Sequence, residues 1–280
     1  MLDEIFSEIW QSLNKKNKSL FPIESIIKDS AIFKASPFHK LTQEQINAKE
    51  EILTKIKESI LSNEDGQLII VEGEAGSGKT VLMSTLLYEL GKYNLDLDEN
   101  LDIHLLVNHN EHVSIYSQIA SKLGIANKKN KIVQKPTSFI NNNSSDEKVD
   151  VVIVDEAHLL LTQGKQSYQG KNHLDDLLAR AKVVVIVFDI KQVLTTEQIW
   201  EIDKLNEYFD KAKSNSNHVT LRNQMRINSD ISTVNWIRNL VDYQVINSIP
   251  KDKLGYDIKI FDTPDELEKA IKIKAKIGRA

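Results

Sequence analysis

Residues 73–80, GEAGSGKT, match the pattern G-x-x-x-x-G-K-[ST] at every fixed position. In this pattern the glycines let backbone N–H groups turn toward phosphate oxygens, the lysine reaches the β- and γ-phosphates, and the last hydroxyl binds Mg²⁺. The apolar run LIIVE precedes the loop and TVLMSTLLYEL follows it, which gives the strand, loop and helix that the pattern requires. The sequence therefore predicts a site for ATP and Mg²⁺, in which Lys79 is catalytic, Thr80 binds the metal, and the phosphates are bound by Gly73, Glu74, Ala75, Gly76, Ser77, Gly78, Lys79 and Thr80.

A second group of polar residues, DEAH at 155–158, ends the apolar run VVIV. In P-loop NTPases an aspartate at the end of another strand helps to hold Mg²⁺, so Asp155 is predicted as the metal-side carboxylate. Glu156 is then placed to orient or deprotonate the attacking water. Two other roles stay open for Glu156, a further Mg²⁺ ligand and a surface acid at a turn. His158 is not predicted to bind zinc, because the sequence has no H-E-x-x-H and no cysteine.

Two further polar residues follow later apolar runs. Gln192, after VVVIVFDIK, is placed to contact the γ-phosphate or its water, although a lone glutamine in a turn is usually structural. Arg226, in LRNQMR, is a candidate to stabilise the charge that develops on the phosphoryl group. The alternative for Arg226 is a solvated surface arginine.

Apolar runs of strand length alternate with segments of helical spacing along most of the chain. Strands are predicted at LIIVE and at 103–107, 149–154 and 183–188. Strands that are apolar throughout and separated by helices indicate a parallel sheet covered by helices on both faces. Such α/β sheets bind ligands at the carboxyl ends of their strands, where the polar residues above are found. The flanks of 126–148 are predicted to be loops, around an ordered KPTSFI.

The remaining helices predict the domain organisation. Apolar residues at helical spacing from Leu2 to Leu13 indicate an N-terminal helical segment within 1–38. Thr42-x-x-Gln45 has the spacing of a capping box, which predicts the start of a long helix. The NTPase domain is assigned to 39–245. A predicted strand, YDIKIF, and a predicted helix, TPDELEKAIKI, fall in 246–280.

Composition excludes several classes of protein. With 41% hydrophobic and 27% charged residues, the 280-residue chain is typical of a globular protein. No apolar run approaches the roughly 20 residues of a membrane span, and the amino terminus is acidic where a secretory signal would be basic. The absence of cysteine fits a reducing compartment, so no membrane association and a cytoplasmic location are expected. The net charge of −4 gives no general basic surface for nucleic acid.

The order of GEAGSGKT, KPTSFIN, VVIVDEAHLL, FDIKQ and LRNQMR closely resembles the Schlafen group 3-like DNA/RNA helicase-domain family, which is related to superfamily 1 helicases. The resemblance runs from about Leu41 to Trp236 and implies a RecA-like ATPase that acts on single-stranded DNA or RNA. LTQEQ resembles the Q-motif region, which implies that Gln45 lies beside the adenine. VNHNEH and KPTSFI resemble segments that line a nucleic-acid strand, which implies contacts from His109 and Thr137.

Families of this kind continue into a second RecA-like motor domain. The resemblance therefore implies that 246–280 is only the beginning of that domain and that the rest is missing from this chain. The alternative function is a nucleotide-dependent switch or interaction module that does not unwind nucleic acid. A kinase is disfavoured, because DEAH and the later glutamine and arginine suit hydrolysis.

Overall fold

The computed structural model describes residues 39–62, 65–74, 76–97, 101–126, 131–164, 168–189, 200–223 and 227–277, and the single positions 12, 15, 16, 37 and 192. The chain divides into two compact units, Met1–Gln224 and Met225–Ala280. This division falls before the predicted boundary at 245. Most of the predicted N-terminal helical segment lies outside the described residues, although Ser12, Lys15 and Lys16 are helical.

The described part of the first unit is an alternation of helices and parallel strands. Its elements in chain order are α1 (Gln43–Leu61), β1 (Gln67–Gly73), α2 (Lys79–Leu97), β2 (Ile103–Leu106), α3 (Asn110–Lys122), β3 (Val133–Gln134), α4 (Pro136–Asn142), β4 (Val149–Val154), a 3₁₀ turn (Ala157–Leu159), α5 (His173–Arg180), β5 (Ala181–Phe188), α6 (Ile202–Ser214) and β6 (His218–Leu221).

The strands form one sheet in the order β3-β2-β4-β5-β1-β6, and each neighbouring pair is parallel. Their carboxyl ends therefore lie along one edge. Strand β5 lies between β1 and β4, so the end of β5 separates the loop after β1 from the acids after β4. The fold is a RecA-like α/β NTPase fold, as predicted.

Helices cover both faces of the sheet. Ile69 and Val71 of β1 face a core that includes side chains of α1, α2 and α3. Leu68 and Ile70 alternate with them and face a second core, formed with α4, α5 and α6. The central strands are apolar at successive positions because both of their faces are buried. The predicted covering by helices on both faces is confirmed.

The start of α1 and the short strand β3 test two local predictions. Thr42 Oγ1 accepts a hydrogen bond from the Gln45 backbone N at 3.3 Å, and Gln45 Oε1 accepts one from the Thr42 backbone N at 2.9 Å. The predicted capping box is therefore present.

Strand β3, by contrast, lies in a flank that was predicted to be a loop. Its pairing with β2 is a long-range contact that two residues cannot signal by periodicity.

The described residues of the second unit contain two helices, α7 (Ile231–Tyr243) and α8 (Pro264–Ile277). The predicted helix at TPDELEKAIKI is confirmed by α8. The predicted strand at YDIKIF is wrong, because residues 256–261 are not in a strand. No strand occurs among the described residues of this unit to pair with that segment, and an unpaired segment gains no ladder hydrogen bonds.

No helix within the described ranges is long and apolar enough to cross a membrane.

Candidate functional site

Glycines shape the loop between β1 and α2, which is called the P-loop below and comprises residues 73–80. Gly76 and Gly78 have φ values of 87° and 80°, which side chains of L-residues rarely tolerate. A Cβ added at Gly73 would lie 2.6 Å from Ser77 Oγ and 3.2 Å from Leu221 Cβ. Gly76 and Gly78 therefore need glycine for their backbone conformation, and Gly73 needs it because neighbouring side chains occupy the space of a Cβ. Ala75 lies outside the described residues.

Lys79 turns its ammonium group into the P-loop. Its Nζ donates to the carbonyl oxygens of Gly73 at 2.6 Å and Glu74 at 2.8 Å. The same nitrogen lies 3.2 Å from Oδ2 of Asp189, which directly follows β5 and is 3% exposed. Gln192 Nε2 donates to that Asp189 oxygen at 3.0 Å. The structure thus brings the predicted residues Lys79 and Gln192 together through Asp189.

Asp155 follows β4 and is 2% exposed. Its Oδ1 accepts from the Glu156 backbone N at 3.0 Å, and its Oδ2 accepts from the Tyr116 hydroxyl at 3.0 Å. Burial and then the negative charge of Glu156 raise the pKa of Asp155 to about 6, while the Tyr116 hydrogen bond opposes that rise. A buried carboxylate beside a second acid is costly as an anion, and a bound cation would lower that cost.

Tyr116, on α3, connects this carboxylate with the P-loop. Its hydroxyl oxygen is also 3.4 Å from the carbonyl oxygen of Thr80. The phenol therefore contacts the backbone of one predicted metal ligand, Thr80, and the carboxylate of the other, Asp155. The tyrosine is 1% exposed, and burial raises its pKa well above the usual value, so the hydroxyl keeps its proton.

Glu156 has a left-handed backbone conformation, with φ 53° and ψ 51°. A non-glycine residue in this region costs of the order of 1 kcal/mol or more, and such strain is concentrated at functional sites. The side chain of Glu156 is half-buried. This turn carries the chain sharply away from β4, so Asp155 and Glu156 can serve different purposes although they are adjacent.

His158 lies in the 3₁₀ turn after these acids and is 2% exposed. Burial lowers its pKa, while Glu156 and Asp189 act against that shift and Lys79 adds to it. Its Nδ1 has no hydrogen-bond partner among the described residues. Burial thus favours the uncharged ring, and the charges of Glu156, Asp189 and Lys79 all act on it.

Gln45 lies against the P-loop. Its Nε2 donates to the Ser77 carbonyl oxygen at 3.1 Å, its Oε1 is used in the capping box with Thr42, and the residue is 3% exposed. Both polar ends of the side chain are therefore bound by protein groups. The structure shows Gln45 joining α1 to the P-loop, and its contact with adenine stays a prediction.

His109 and Thr137 follow strands β2 and β3. His109 is the exposed residue before α3, and its ring centroid is 5.7 Å from that of His112. Thr137 Oγ1 lies 3.2 Å from His173 Nε2, while His173 Nδ1 accepts from the Leu161 backbone N. Burial lowers the pKa of His173 to about 4, so the ring is neutral and Nε2 carries the hydrogen that Thr137 accepts. The nucleic-acid roles of His109 and Thr137 stay predictions.

Some predicted positions are untested and one contact was missed. Arg226 lies outside the described residues. Tyr116 was not predicted, because its neighbour Ile115 and the residues Ile119 and Leu123 had already explained α3 as a helix with an apolar face. A tyrosine beside such a face gives no signal in the sequence that its hydroxyl binds a carboxylate.

The donor set fits Mg²⁺ bound together with phosphates. No cluster of three or more His, Cys, Asp or Glu side chains suited to a metal occurs in the part of the chain that the structure describes. Mg²⁺ does not need such a cluster, since it keeps several waters and binds through one or two carboxylates plus substrate phosphates. Ser77 Oγ is buried and has no partner among the described residues, as expected for a group that faces a phosphate.

Comparisons with known proteins identify a family and several similar chains. Residues 66–280 match the family described as Schlafen group 3, DNA/RNA helicase domain. An uncharacterized protein of Saccharomyces cerevisiae is 30% identical to this chain, in a match that covers 84% of this chain and 58% of the length of the yeast protein. The Pif1 helicase of Candida albicans is 16% identical, with a TM-score of 0.39 over 85% of this chain and 55% of that chain. Domain III of DnaA, the replication initiation protein of Thermotoga maritima, is 15% identical, with a TM-score of 0.34 over 68% of this chain and 66% of that chain.

Proposed function

This chain belongs to the Schlafen group 3 DNA/RNA helicase-domain family, and on that premise we propose that it is an ATP-binding and ATP-hydrolysing motor domain. It uses the hydrolysis of Mg-ATP to act on single-stranded DNA or RNA. The family makes it a nucleotide-binding domain of helicase type. The hydrolysis and the action on nucleic acid are the proposal.

One observation carries the proposal, the convergence of three strand ends on one small region. The P-loop after β1 meets the end of β5 where Lys79 Nζ lies 3.2 Å from Asp189 Oδ2. It meets the end of β4 where Tyr116 lies between Thr80 and Asp155. The backbone of Thr80, the buried carboxylate of Asp155 and the ammonium group of Lys79 thus lie around the P-loop, which supports a site for a phosphate and its cation.

Each residue then has a definable task. Lys79 exchanges its bonds with carbonyl oxygens and Asp189 for bonds with phosphate oxygens. Asp155 and the Thr80 hydroxyl would hold Mg²⁺, which when bound would supply positive charge against the phosphate oxygens. Glu156 accepts a proton from the attacking water, and Gln192 orients the γ-phosphate or that water. The proposed role of Arg226 is to stabilise the charge that develops on the phosphoryl group.

The proposed nucleic-acid contacts lie at the ends of β2 and β3. His109 is exposed, and Thr137 is half-buried with its oxygen held by His173. The chain as a whole has a net charge of −4 and so offers no general basic surface, which means that binding would rely on local contacts. The sequence resemblance supports both contacts.

The test is steady-state ATP hydrolysis by this chain without polymer, with single-stranded DNA and with single-stranded RNA. We expect Mg²⁺-dependent hydrolysis that one of the polymers stimulates several-fold. The Lys79→Ala variant, purified in the same way, measures hydrolysis by contaminants. Hydrolysis that neither polymer changes would favour the nucleotide-dependent switch, and no hydrolysis above the variant in any arm would contradict the motor.

We further propose that residues 39–245 are the ATPase domain and that 246–280 begin a second RecA-like domain. The support for this division is the sequence resemblance, since the described residues of the second unit hold two helices and no strand. This chain spans 58% of the length of the yeast relative. A cytoplasmic location is proposed on the lack of cysteine.

A further inference from the structure

We propose that Tyr116 is a positioning residue of the magnesium site, which fixes the carboxylate of Asp155 for the cation and ties that carboxylate to α3. The inference rests on the proposed function, because it concerns the same nucleotide and Mg²⁺. It adds a residue that lies 39 positions before its partner in the sequence.

The hydrogen bonds around Asp155 define its orientation completely. Oδ1 is held by the Glu156 backbone N and Oδ2 by the Tyr116 hydroxyl, each at 3.0 Å. A carboxylate oxygen has a second lone pair, so either oxygen can still bind a cation. The side chain is therefore fixed about both of its oxygens before any ligand arrives, and a hydrogen-bonded carboxylate of this kind is a preorganised metal ligand.

The phenol has one proton and two acceptors within reach. The distance to Asp155 Oδ2 is 3.0 Å and that to the Thr80 carbonyl oxygen is 3.4 Å, so the proton belongs mainly to the carboxylate. The charged acceptor also makes the stronger hydrogen bond. Tyr116 thus contacts the start of the P-loop helix through Thr80 while it acts on the metal through Asp155.

The packed core around Tyr116 holds its phenol in a fixed position. Tyr116 is 1% exposed and packs in the core that includes side chains of α1, α2 and α3. Its ring cannot move without moving α3, because a fully buried aromatic side chain is close-packed. Asp155 in turn directly follows β4, a central strand of the sheet. The hydrogen bond therefore joins two rigid elements, and its length reports on their separation.

The experiment measures the affinity of a non-hydrolysable ATP analogue by calorimetry, once with Mg²⁺ and once with EDTA. The ratio of the two dissociation constants isolates the contribution of the metal. Loss of a group that orients a metal ligand typically weakens metal affinity about 10- to 100-fold. We expect Tyr116→Phe to lower this ratio at least about tenfold and to leave the affinity in EDTA unchanged.

The matched control is Tyr208→Phe. Tyr208 is 5% exposed, and its hydroxyl also donates to a carboxylate, Asp175 Oδ1, at 2.6 Å. It belongs to the core on the other face of the sheet. This variant loses the same chemical contact in another place, so its magnesium ratio should equal that of the parent chain.

A double-mutant cycle tests whether Tyr116 acts through Asp155. Asp155→Asn removes the charged ligand, so the further change Tyr116→Phe should not alter the magnesium ratio in that background. An unchanged ratio in the single Tyr116→Phe variant would overturn the proposal. Equal weakening with Mg²⁺ and with EDTA would also overturn it, because it would assign Tyr116 to the P-loop rather than to the metal. A parent chain that binds no nucleotide in either arm would instead contradict the proposed function.

Discussion

At the scale of single residues, the site is organised around buried charge. Lys79 satisfies its ammonium group with two carbonyl oxygens and Asp189, and Asp155 satisfies its carboxylate with Tyr116 and a backbone N–H. Both charged groups already have partners of the opposite polarity. In the proposed mechanism Lys79 exchanges these contacts for bonds with phosphate oxygens, whereas Asp155 keeps its two hydrogen bonds and adds the cation. Each residue can be tested by removing what it contributes to binding.

Lys79→Ala is expected to abolish or severely weaken the binding of Mg-ATP. The substitution removes the positive charge that faces the phosphates and leaves Asp189 without that partner. Calorimetric titration with ATP and Mg²⁺ measures the effect. Lys182→Ala is the control, because Lys182 forms an ion pair of 2.7 Å with Asp150 at the opposite end of the strands. Equal affinity in Lys79→Ala and the parent chain would count against the P-loop assignment.

Glu156→Gln is expected to retain nucleotide and lose turnover. The amide keeps the size of the side chain and its backbone conformation but cannot accept the proton of the attacking water. A general base typically contributes about 10² to 10⁴ in rate, so kcat should fall by that order while nucleotide affinity stays near that of the parent. Single-turnover hydrolysis measures it, and hydrolysis at the parent rate would assign Glu156 another role.

The raised pKa of Asp155 predicts a pH dependence of stability. The pKa is about 6 in the folded chain, against an ordinary value of 3.8 for an aspartate that the fold does not perturb. The folded state therefore binds this proton more tightly than the unfolded state. The free energy of unfolding accordingly falls as pH rises from the ordinary pKa of aspartate through the raised pKa of Asp155. Asp155→Asn has no such loss. Its stability relative to the parent should therefore increase between about pH 4 and pH 7, by of the order of 3 kcal/mol for about two pKa units. Urea unfolding in EDTA measures this difference, and a difference independent of pH would contradict it.

At the scale of elements, three helices on one face of the sheet keep the loop ends in place. Helix α1 reaches the P-loop through Gln45 and Ser77, α2 begins within the loop, and α3 reaches Asp155 through Tyr116. Glu44 of α1 also accepts from the backbone N–H groups of Arg222 and Asn223 after β6. The shape of the P-loop therefore depends on packing between elements as well as on its own eight residues.

Gly73→Ala tests that packing. The added Cβ would lie 2.6 Å from Ser77 Oγ and 3.2 Å from Leu221 Cβ, so the loop or β6 has to shift. We expect nucleotide affinity to fall and stability to drop by about 1 to 3 kcal/mol, as is typical of overpacking. Gly164→Ala is the control, since its nearest contacts are at an ordinary 3.4 Å. Unchanged nucleotide binding by Gly73→Ala would show that the loop adapts without β6.

At the scale of the whole molecule, the described part of the proposed site offers one surface to a nucleotide. Its residues come from the first unit, at the carboxyl edge of one sheet. In helicases of this type the γ-phosphate is contacted from two RecA-like domains, and electrostatic groups of that kind are each worth about 10² to 10³ in rate. The activity of this chain alone therefore depends on how much of the second side it supplies.

We expect the 280-residue chain to bind ATP, hydrolyse it slowly and unwind no duplex by itself. The reason is that the described residues of the second unit form no sheet that could supply a second motor surface. Duplex unwinding on a forked substrate, measured beside hydrolysis in the same solution, tests this. Robust unwinding by the isolated chain would refute it.

The sequence alone determined the chemistry that depends on local pattern. The P-loop, the capping box at Thr42 and the four central strands follow from residue types at fixed spacing, because a turn, a cap or a buried strand is encoded within a few neighbouring residues. The same local signals predicted Asp155 and Glu156 as a pair of acids after a strand. They assigned different roles to the two acids but not their surroundings, because the burial of Asp155 and the left-handed turn at Glu156 arise only in the folded chain.

Only the tertiary structure decided which distant residues meet. Tyr116 and Asp155 are 39 positions apart and Lys79 and Asp189 are 110 apart, so no periodicity relates them. Their contacts arise from the order of the strands, which places β5 between β1 and β4, and from the packing of α3 on the same face of the sheet as α1 and α2. The unformed strand at 256–261 has the same cause, since a strand exists only where a partner lies beside it.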